Sequence, residues 1–295
     1  RRFRQNFEVD FMKVYYMNGA GNDFIIVENL CGELDEQKLS KLARTLCDRR
    51  MSIGADGLMA VVPAKGTADY GMLFFNCDGS LGEMCGNGAR CICRYGYEHQ
   101  LAGETQTIET TAGLVTGERI DARNYRIRLP QPQNLQYLAL DVDGQKVGCM
   151  YLELGNSGIP HAVVQYPGLR AADEQELFAL GRKLRHHPAF PKGANVNFLE
   201  KLGENRFYER TWERGVEDFT YACGTGTGAS VYALAEKRRC GDHVQVEMKG
   251  GLLIVDIVRV GKKCMDLLLT GPASLVCEGE VFEEAIPQEA AFGCV

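Results

Sequence analysis

The chain has 295 residues, enough for about two domains, and 33 Lys and Arg against 39 Asp and Glu leave a formal charge of −6 and a pI near 5.5. That mild acidity is not the footprint of a nucleic-acid or acidic-membrane binder, and 45% apolar with 24% charged residues is not the composition of a disordered chain. Apolar runs such as LLIV at 252–255 fall far short of the roughly 20 residues that span a bilayer.

The opening RRFRQNFEVDF is basic but has no apolar core of the secretory-signal kind. Residues 1–11 are expected to be a leader or appended segment, with a natural start at Met12. Short β-type runs then recur: VYYM (14–17), DFIIV (23–27), GMLFFN (71–76), YRIRL (125–129), HAVVQY (161–166), VQVEM (244–248) and LLIVDIV (252–258). Amphipathic spacing predicts helices over 38–47 and 174–185. LPQPQ (129–133), with two prolines and no charge, is expected to link two domains. Twelve cysteines are about 4% of the chain, too few for a disulfide scaffold. Without an export signal they are expected to be reduced thiols in the cytoplasm, most of them small apolar core residues.

One motif occurs twice. CGNGARCICRYGY begins at Cys85 and CGTGTGASVYALA at Cys223, 138 residues later, and each reads as strand, loop, C-G-x-G and helix. In the first helix Ala89, Ile92, Cys93, Gly96 and Tyr97 form a 3.6-period stripe, whereas the second, over 226–235, is small or apolar all round. The pattern predicts two half-chains of similar architecture, each with a Cys-Gly at the start of a buried helix. The first turn of a helix leaves four N–H groups without intrahelical partners and carries roughly half a positive charge. A cysteine there is expected to have its thiol pKa lowered from about 8.5. The glycines let a ligand reach the backbone, whose N–H groups suit a carboxylate. Two such sites gripping one α-carboxylate would place a sulfur on each side of its α-carbon, which suits racemisation or epimerisation without a cofactor. A buried cysteine before a glycine turn is the plainer explanation of either motif alone.

The segments MNGAGNDFIIV (17–27), SIGADGL (52–58), FFNCDGSLGEMCGNGARC (74–91), PHAVV (160–164), NVNF (195–198) and WERG…ACGTG (212–226) occur in this order. Together, from about residue 12 to 271, they resemble the diaminopimelate epimerase family. The resemblance implies an α+β fold of two pseudo-symmetric domains, each a mostly antiparallel sheet or barrel wrapped around a central helix, with the active site in the interdomain cleft. Residues 12–129 would form the first half, completed by 275–295, and 133–274 the second. It further implies a cytoplasmic, PLP-independent and metal-free isomerase with an amino-acid substrate, no nucleic-acid or membrane partner, and a homodimer among the expected assemblies.

By motif position the resemblance makes Cys85 and Cys223 the acid/base pair, with His161 and Glu213 tuning the thiols. The backbone at Gly86, Asn87, Gly224 and Thr225 would hold the reacting α-carboxylate. Asn22, Asn76, Asn195, Glu213 and Arg214 would hold the substrate's other polar groups, Arg214 suiting a distal carboxylate because its fork binds in two places. The substrate implied is LL-diaminopimelate, converted to the meso form for lysine and cell-wall synthesis. Four departures from the family pattern bear on that choice: Ile159 for the usual Asn before Pro-His, Gly57 for a Gln of some members, Asn18 for His, and Phe219 with Tyr221 before A-C-G. Racemisation of another amino acid, such as histidine, is one alternative; a non-catalytic amino-acid binder of the same fold is another.

Other chemistries fit less well. Cys85, Cys91 and Cys93 are spaced C-x5-C-x-C, which matches no familiar zinc pattern. GTGTG at 224–228 lacks the βαβ setting of a dinucleotide loop.

Overall fold

A computed structural model describes residues 11–82, 85–156 and 158–287. Residues 1–10 of the expected leader over 1–11, Cys294 and the tail over 288–295 lie outside the described residues; Phe11, the last residue of that leader, pairs with Phe282 in a strand. The chain divides into two compact units, one running to Arg119 and resuming at Ala273, the other covering Ile120–Pro272.

Unit 1 holds β1 (Phe11–Gly19), β2 (Asn22–Glu28), α1 (Glu36–Leu46), β3 (Gly57–Val62), β4 (Tyr70–Asn76), β5 (Leu81–Gly82), α2 (Gly86–Glu98), β6 (Thr105–Thr110), β7 (Gly113–Arg119) and, from the chain's end, β18 (Ser274–Phe282). Its strands run β18-β1-β2-β3-β4-β6-β7, antiparallel except at β2/β3 and β4/β6. Helix α1 starts where the Asp35 side chain accepts the Lys38 N–H. Leu39, Leu42 and Leu46 of α1 pack on Ile25, Val27, Leu58, Ala60 and Phe75, each such leucine contributing roughly 1.5–3 kcal/mol by leaving water. Strand side chains alternate, so Met59 belongs to the opposite face. There its end meets the space beside Gly88 of α2. Helix α2 touches β1, β2, β3 and β7, so the sheet curls around it.

Unit 2 repeats this plan. Its elements are β8 (Asn124–Leu129), β9 (Pro132–Val142), β10 (Gln145–Leu154), β11 (Ile159–Gln165), α3 (Glu174–Arg185), β12 (Asn195–Gly203), β13 (Arg206–Glu213), β14 (Asp218–Thr220), α4 (Gly224–Glu236), β15 (His243–Met248), β16 (Gly251–Val260) and β17 (Lys263–Pro272). The order is β9-β10-β11-β12-β13-β15-β16-β17-β8, parallel only at β11/β12 and β13/β15. Helix α3 takes the place of α1, packing Leu177 and Leu184 on Ala162, Val164, Val196, Phe198 and Trp212. Helix α4 takes the place of α2, in contact with β9 to β12 and with β16 and β17.

Two expectations change. LPQPQ is not a link between units: β8 before it pairs with β17, and Gln131 within it is tied to Gly155 and Met265. The break falls instead between Arg119 and Ile120. Helix α2 is buried well beyond its predicted stripe, and Arg90, Cys91 and Tyr95 are enclosed too, because strands approach it from several sides.

The second glycine of each C-G-x-G lies against a strand. A Cβ on Gly226 would sit 2.2 Å from Asn197 Oδ1, while one on Gly88 would meet the terminal Cε of Met59 at 2.5 Å. Asn197 cannot yield, since its amide is bonded to Thr211 Oγ1 and to the Ala162 carbonyl; a methionine tip can. Gly226→Ala is therefore expected to cost about 1–3 kcal/mol through overpacking. Gly88→Ala should stay within roughly 1 kcal/mol of the parent, helix propensity offsetting the contact. Denaturant midpoints of the two variants check this, and equal losses would contradict it.

Candidate active site

Cys85 is the N-cap residue of α2, with extended backbone at φ −118° and ψ 117° and no capping bond from its side chain. It is half-buried. Gly86 and Asn87 open the helix, so their N–H groups lie in its first turn, ahead of its own carbonyl ladder. A polar chain fixes the Asn87 side chain. Its Nδ2 donates to Asn22 Oδ1 (2.5 Å), and Asn22 Nδ2 donates to Asp56 Oδ2 (3.0 Å). Arg49 in turn binds Asp23 (2.7 Å) and Asp56 (2.8 Å). Burial works to raise the Asp23 carboxyl, but the bonds from Arg49, Tyr16 and the Asp56 N–H prevail and hold it below the usual range. From inside the helix Arg90, fully buried, donates to Asn87 Oδ1 (2.8 Å). Asn76 ends β4, with Nδ2 on Ser80 Oγ (2.9 Å).

Cys223 is the N-cap of α4 at φ −122° and ψ 103°, again without a side-chain cap. It is only 7% exposed, and its Sγ lies 3.6 Å from Thr225 Oγ1. Gly224 and Thr225 open α4 as Gly86 and Asn87 open α2. The lowered thiol pKa expected from the helix end is not what this thiol experiences. Burial, and after it the Glu213 charge, push the Cys223 thiol well up, against weaker opposing help from Thr225 and the Gly226 N–H.

His161 and Glu213 both belong to unit 2. His161 lies in β11, fully buried, with Asn197 Nδ2 3.4 Å from its Nδ1. That contact makes Nδ1 the acceptor and leaves the proton on Nε2, which has no hydrogen-bond partner among the described residues. An unpaired buried donor costs about 1–3 kcal/mol. Burial, with the Arg214 charge second, lowers the His161 pKa from 6.5 to about 3. Glu213 ends β13, next after Trp212, which pairs with Val196 of β12; Asn195 opens β12. Asn195 Oδ1 accepts the Arg214 N–H at 2.8 Å, and the exposed Arg214 side chain reaches the Lys192 carbonyl.

The register relates the units residue by residue. His161 and Phe24, Asn195 and Gly57, Asn197 and Met59, and Glu213 and Asn76 occupy matching positions. Sequence reasoning missed Asp56, Arg49, Arg90 and Asn197. Asp56, Arg90 and Asn197 stood within the recognised segments, but nothing about an Asp, Arg or Asn at those positions marks it as a support. Two departures also change meaning. A Cβ at Gly57 would meet Phe74 and the Phe75 carbonyl at 2.5 and 2.6 Å, so packing demands glycine there. Phe219 packs edge-on against Trp212 and lies beside Phe198, on the α3 side of the sheet, so it adds nothing apolar around Cys223.

Cys47, Cys91, Cys93 and Cys149 are buried thiols whose pKa burial pushes up to about 12. Among the described residues no three His, Cys, Asp or Glu side chains converge to hold a metal ion. No helix among them is long and apolar enough to cross a membrane.

His161 is predicted to remain neutral across the working range. Its native pKa lies below the unfolded one, so its contribution to stability is complete above about 6.5 and is lost as the pH falls toward about 3. Ring 15N shifts should report a neutral Nε2–H tautomer from pH 8 to 5, and His161→Gln should weaken the fall in stability below pH 6.5; an imidazolium signal at pH 6 contradicts this.

The diaminopimelate epimerase family profile matches residues 14–127 and 154–276. Curated diaminopimelate epimerases share about a third of their residues with the chain along nearly its whole length. That of Methanothrix thermoacetophila is 36% identical over 95% of this chain and 98% of its own, and that of Aquifex aeolicus 35% over 93% and 99%. Solved structures share the fold at lower identity. A Bacillus anthracis PhzF-family phenazine biosynthesis protein has a TM-score of 0.70 at 18% identity, covering 92% of this chain and 99% of its own. A probable proline racemase from Agrobacterium radiobacter has 0.68 at 17%, covering 95% of each. With its paired Cys-Gly helix ends in two units of one topology, the chain belongs to the diaminopimelate epimerase family.

Proposed function

We propose that the chain is an isomerase that inverts one α-carbon of LL-diaminopimelate to give the meso form, using Cys85 and Cys223 as its proton carriers and no cofactor. The observation that carries this is the equivalence of the two thiols, each the N-cap of the enclosed helix in its own unit. One sulfur, as thiolate, takes the α-proton. The other, as thiol, returns a proton to the opposite face of the carbanion, and the roles exchange for the reverse reaction. The first-turn N–H groups of Gly86, Asn87, Gly224 and Thr225 hold the α-carboxylate, where charge develops as the proton leaves. The high acidity threshold of Cys223 suits the acid role when LL substrate enters. Cys85 then begins as the base.

Glu213 carries the charge that suits the α-ammonium. Asn22, already aimed by Asp56, joins Asn76 and Asn195 in ordering the polar ends. The Arg214 fork suits the distal carboxylate. His161, neutral and fixed through Asn197, orders the surroundings of Cys223 rather than moving a proton itself. A cytoplasmic setting keeps such thiols reduced.

One observation favours a second substrate. Ile159, at the start of β11, offers no polar atom where the family pattern has Asn, and a racemase of a different amino acid would accept that. A panel of L-amino acids in heavy water, including LL-diaminopimelate and histidine, decides by which substrate gains deuterium at its α-carbon. Cys85→Ala and Cys223→Ala should each lower that exchange by roughly 10²–10⁴-fold with circular dichroism unchanged. Near-parent turnover in either variant refutes the two-thiol chemistry.

A further inference from the structure

Glu209 is a buried carboxyl that the proposed chemistry does not use. It lies in β13, 1% exposed, on the side that faces α4. Its Oε2 accepts from Thr227 Oγ1 (2.5 Å) and its Oε1 from Ser230 Oγ (2.7 Å). Thr227 Oγ1 is also 3.0 Å from the Cys223 carbonyl, which accepts the Thr227 N–H as well. A single hydroxyl thus joins the carboxyl to the residue that carries the thiol. Its one proton points to Glu209 when the carboxylate is ionised. When Glu209 is neutral the carboxyl can donate instead, and the Thr227 proton is free to turn to Cys223.

Packing alone does not call for a carboxyl here. The matching register position in unit 1 is Met72, buried and uncharged. Conversely α2 carries buried Arg90 where α4 has Gly228, five residues after each cysteine. The two cysteine-bearing helices therefore enclose charges of opposite sign.

We infer that Glu209 is a positioning residue that acts through α4 to hold Cys223 in its thiol form, making the two thiols of the proposed reaction unequal. An ionised carboxylate beneath the first turn opposes the helix's own positive end and so disfavours a second negative charge on Cys223. Burial raises the Glu209 carboxyl to about 7 despite its two hydroxyl partners, so this hold strengthens through neutral pH. The other titratable groups on this side are Glu213 at the end of the same strand, Cys223 on α4, His161 on β11 and Lys201 toward the far end of β12; β15 contributes apolar Val244 and Val246. Of these His161 is neutral, and Glu213 acts on Cys223 in the same direction as Glu209.

The catalytic consequence rests on the epimerase function, but the test needs no substrate. The full chain is labelled with 13Cβ-cysteine, and the Cys223 and Cys85 resonances are assigned by their loss in the alanine variants. In Glu209→Gln the Cys223 transition should move down by about one pH unit, about tenfold more thiolate at a given pH, while that of Cys85 stays in place. Glu209→Met, copying unit 1, should move it the same way, and decides alone if the glutamine variant does not fold. A Cys223 transition that stays at its parent position in both variants overturns the inference. Shifted titration with no deuterium exchange would instead refute the epimerase function and leave the role of Glu209 standing.

Discussion

A thiol at the N-cap of an enclosed helix is pulled two ways. The first-turn N–H groups and the aligned peptide dipoles favour the thiolate by about 0.3–1 kcal/mol, up to roughly 2 in partly buried settings. Loss of water disfavours it by as much as 3–5 pKa units, each worth about 1.4 kcal/mol. The depth of the cysteine therefore decides which effect wins. Cys223, nearly sealed, is driven upward; Cys85 is only half-buried. The same N–H groups that fail to ionise a sealed sulfur remain able to bind an anion, because a bound carboxylate brings its charge already formed.

The two units run one backbone plan with different fillings. Strand order, the two parallel pairings, the outer helix and the enclosed helix all correspond. What differs is the polar furniture: Phe24, Gly57, Met59, Met72 and Asn76 in unit 1 stand where His161, Asn195, Asn197, Glu209 and Glu213 stand in unit 2. Unit 2 thus surrounds its thiol with titratable side chains on neighbouring strands. Unit 1 supports Asn87 through a line of side chains that ends at the surface in Arg49. A reaction that runs from either enantiomer needs two proton carriers, yet it does not need them to be alike.

Much of this was legible in the residues. Period-two runs and the 174–185 pattern mark real strands and a real helix because one face of each is buried and the other wet. The doubled C-G-x-G stands out because few structural reasons place Cys-Gly before a buried helix twice at half-chain spacing. The supports were not legible, since their meaning lies in pairings between distant positions: Asn22 with Asp56, Glu209 with Thr227 and Ser230. The proline pair in LPQPQ misled for a related reason. Proline breaks regular structure locally, but whether the break separates domains depends on where the flanking strands find partners. Here β8 finds β17, more than a hundred residues away.

The glycines of the doubled motif also divide their work. Gly88 and Gly226 do not open the backbone to a ligand; they let the helix press onto Met59 and Asn197. In the proposed reaction, access for the carboxylate would then fall to the N–H groups at 86–87 and 224–225. Because the turn behind those groups is wedged against a strand, they cannot swing away as charge shifts on whatever they hold. Donors fixed in advance need no reorganisation at the moment of reaction, which is what electrostatic stabilisation of a developing anion requires. For the proposed reaction, the close packing of helix on strand, more than the local flexibility of glycine, would fit each helix end for that task.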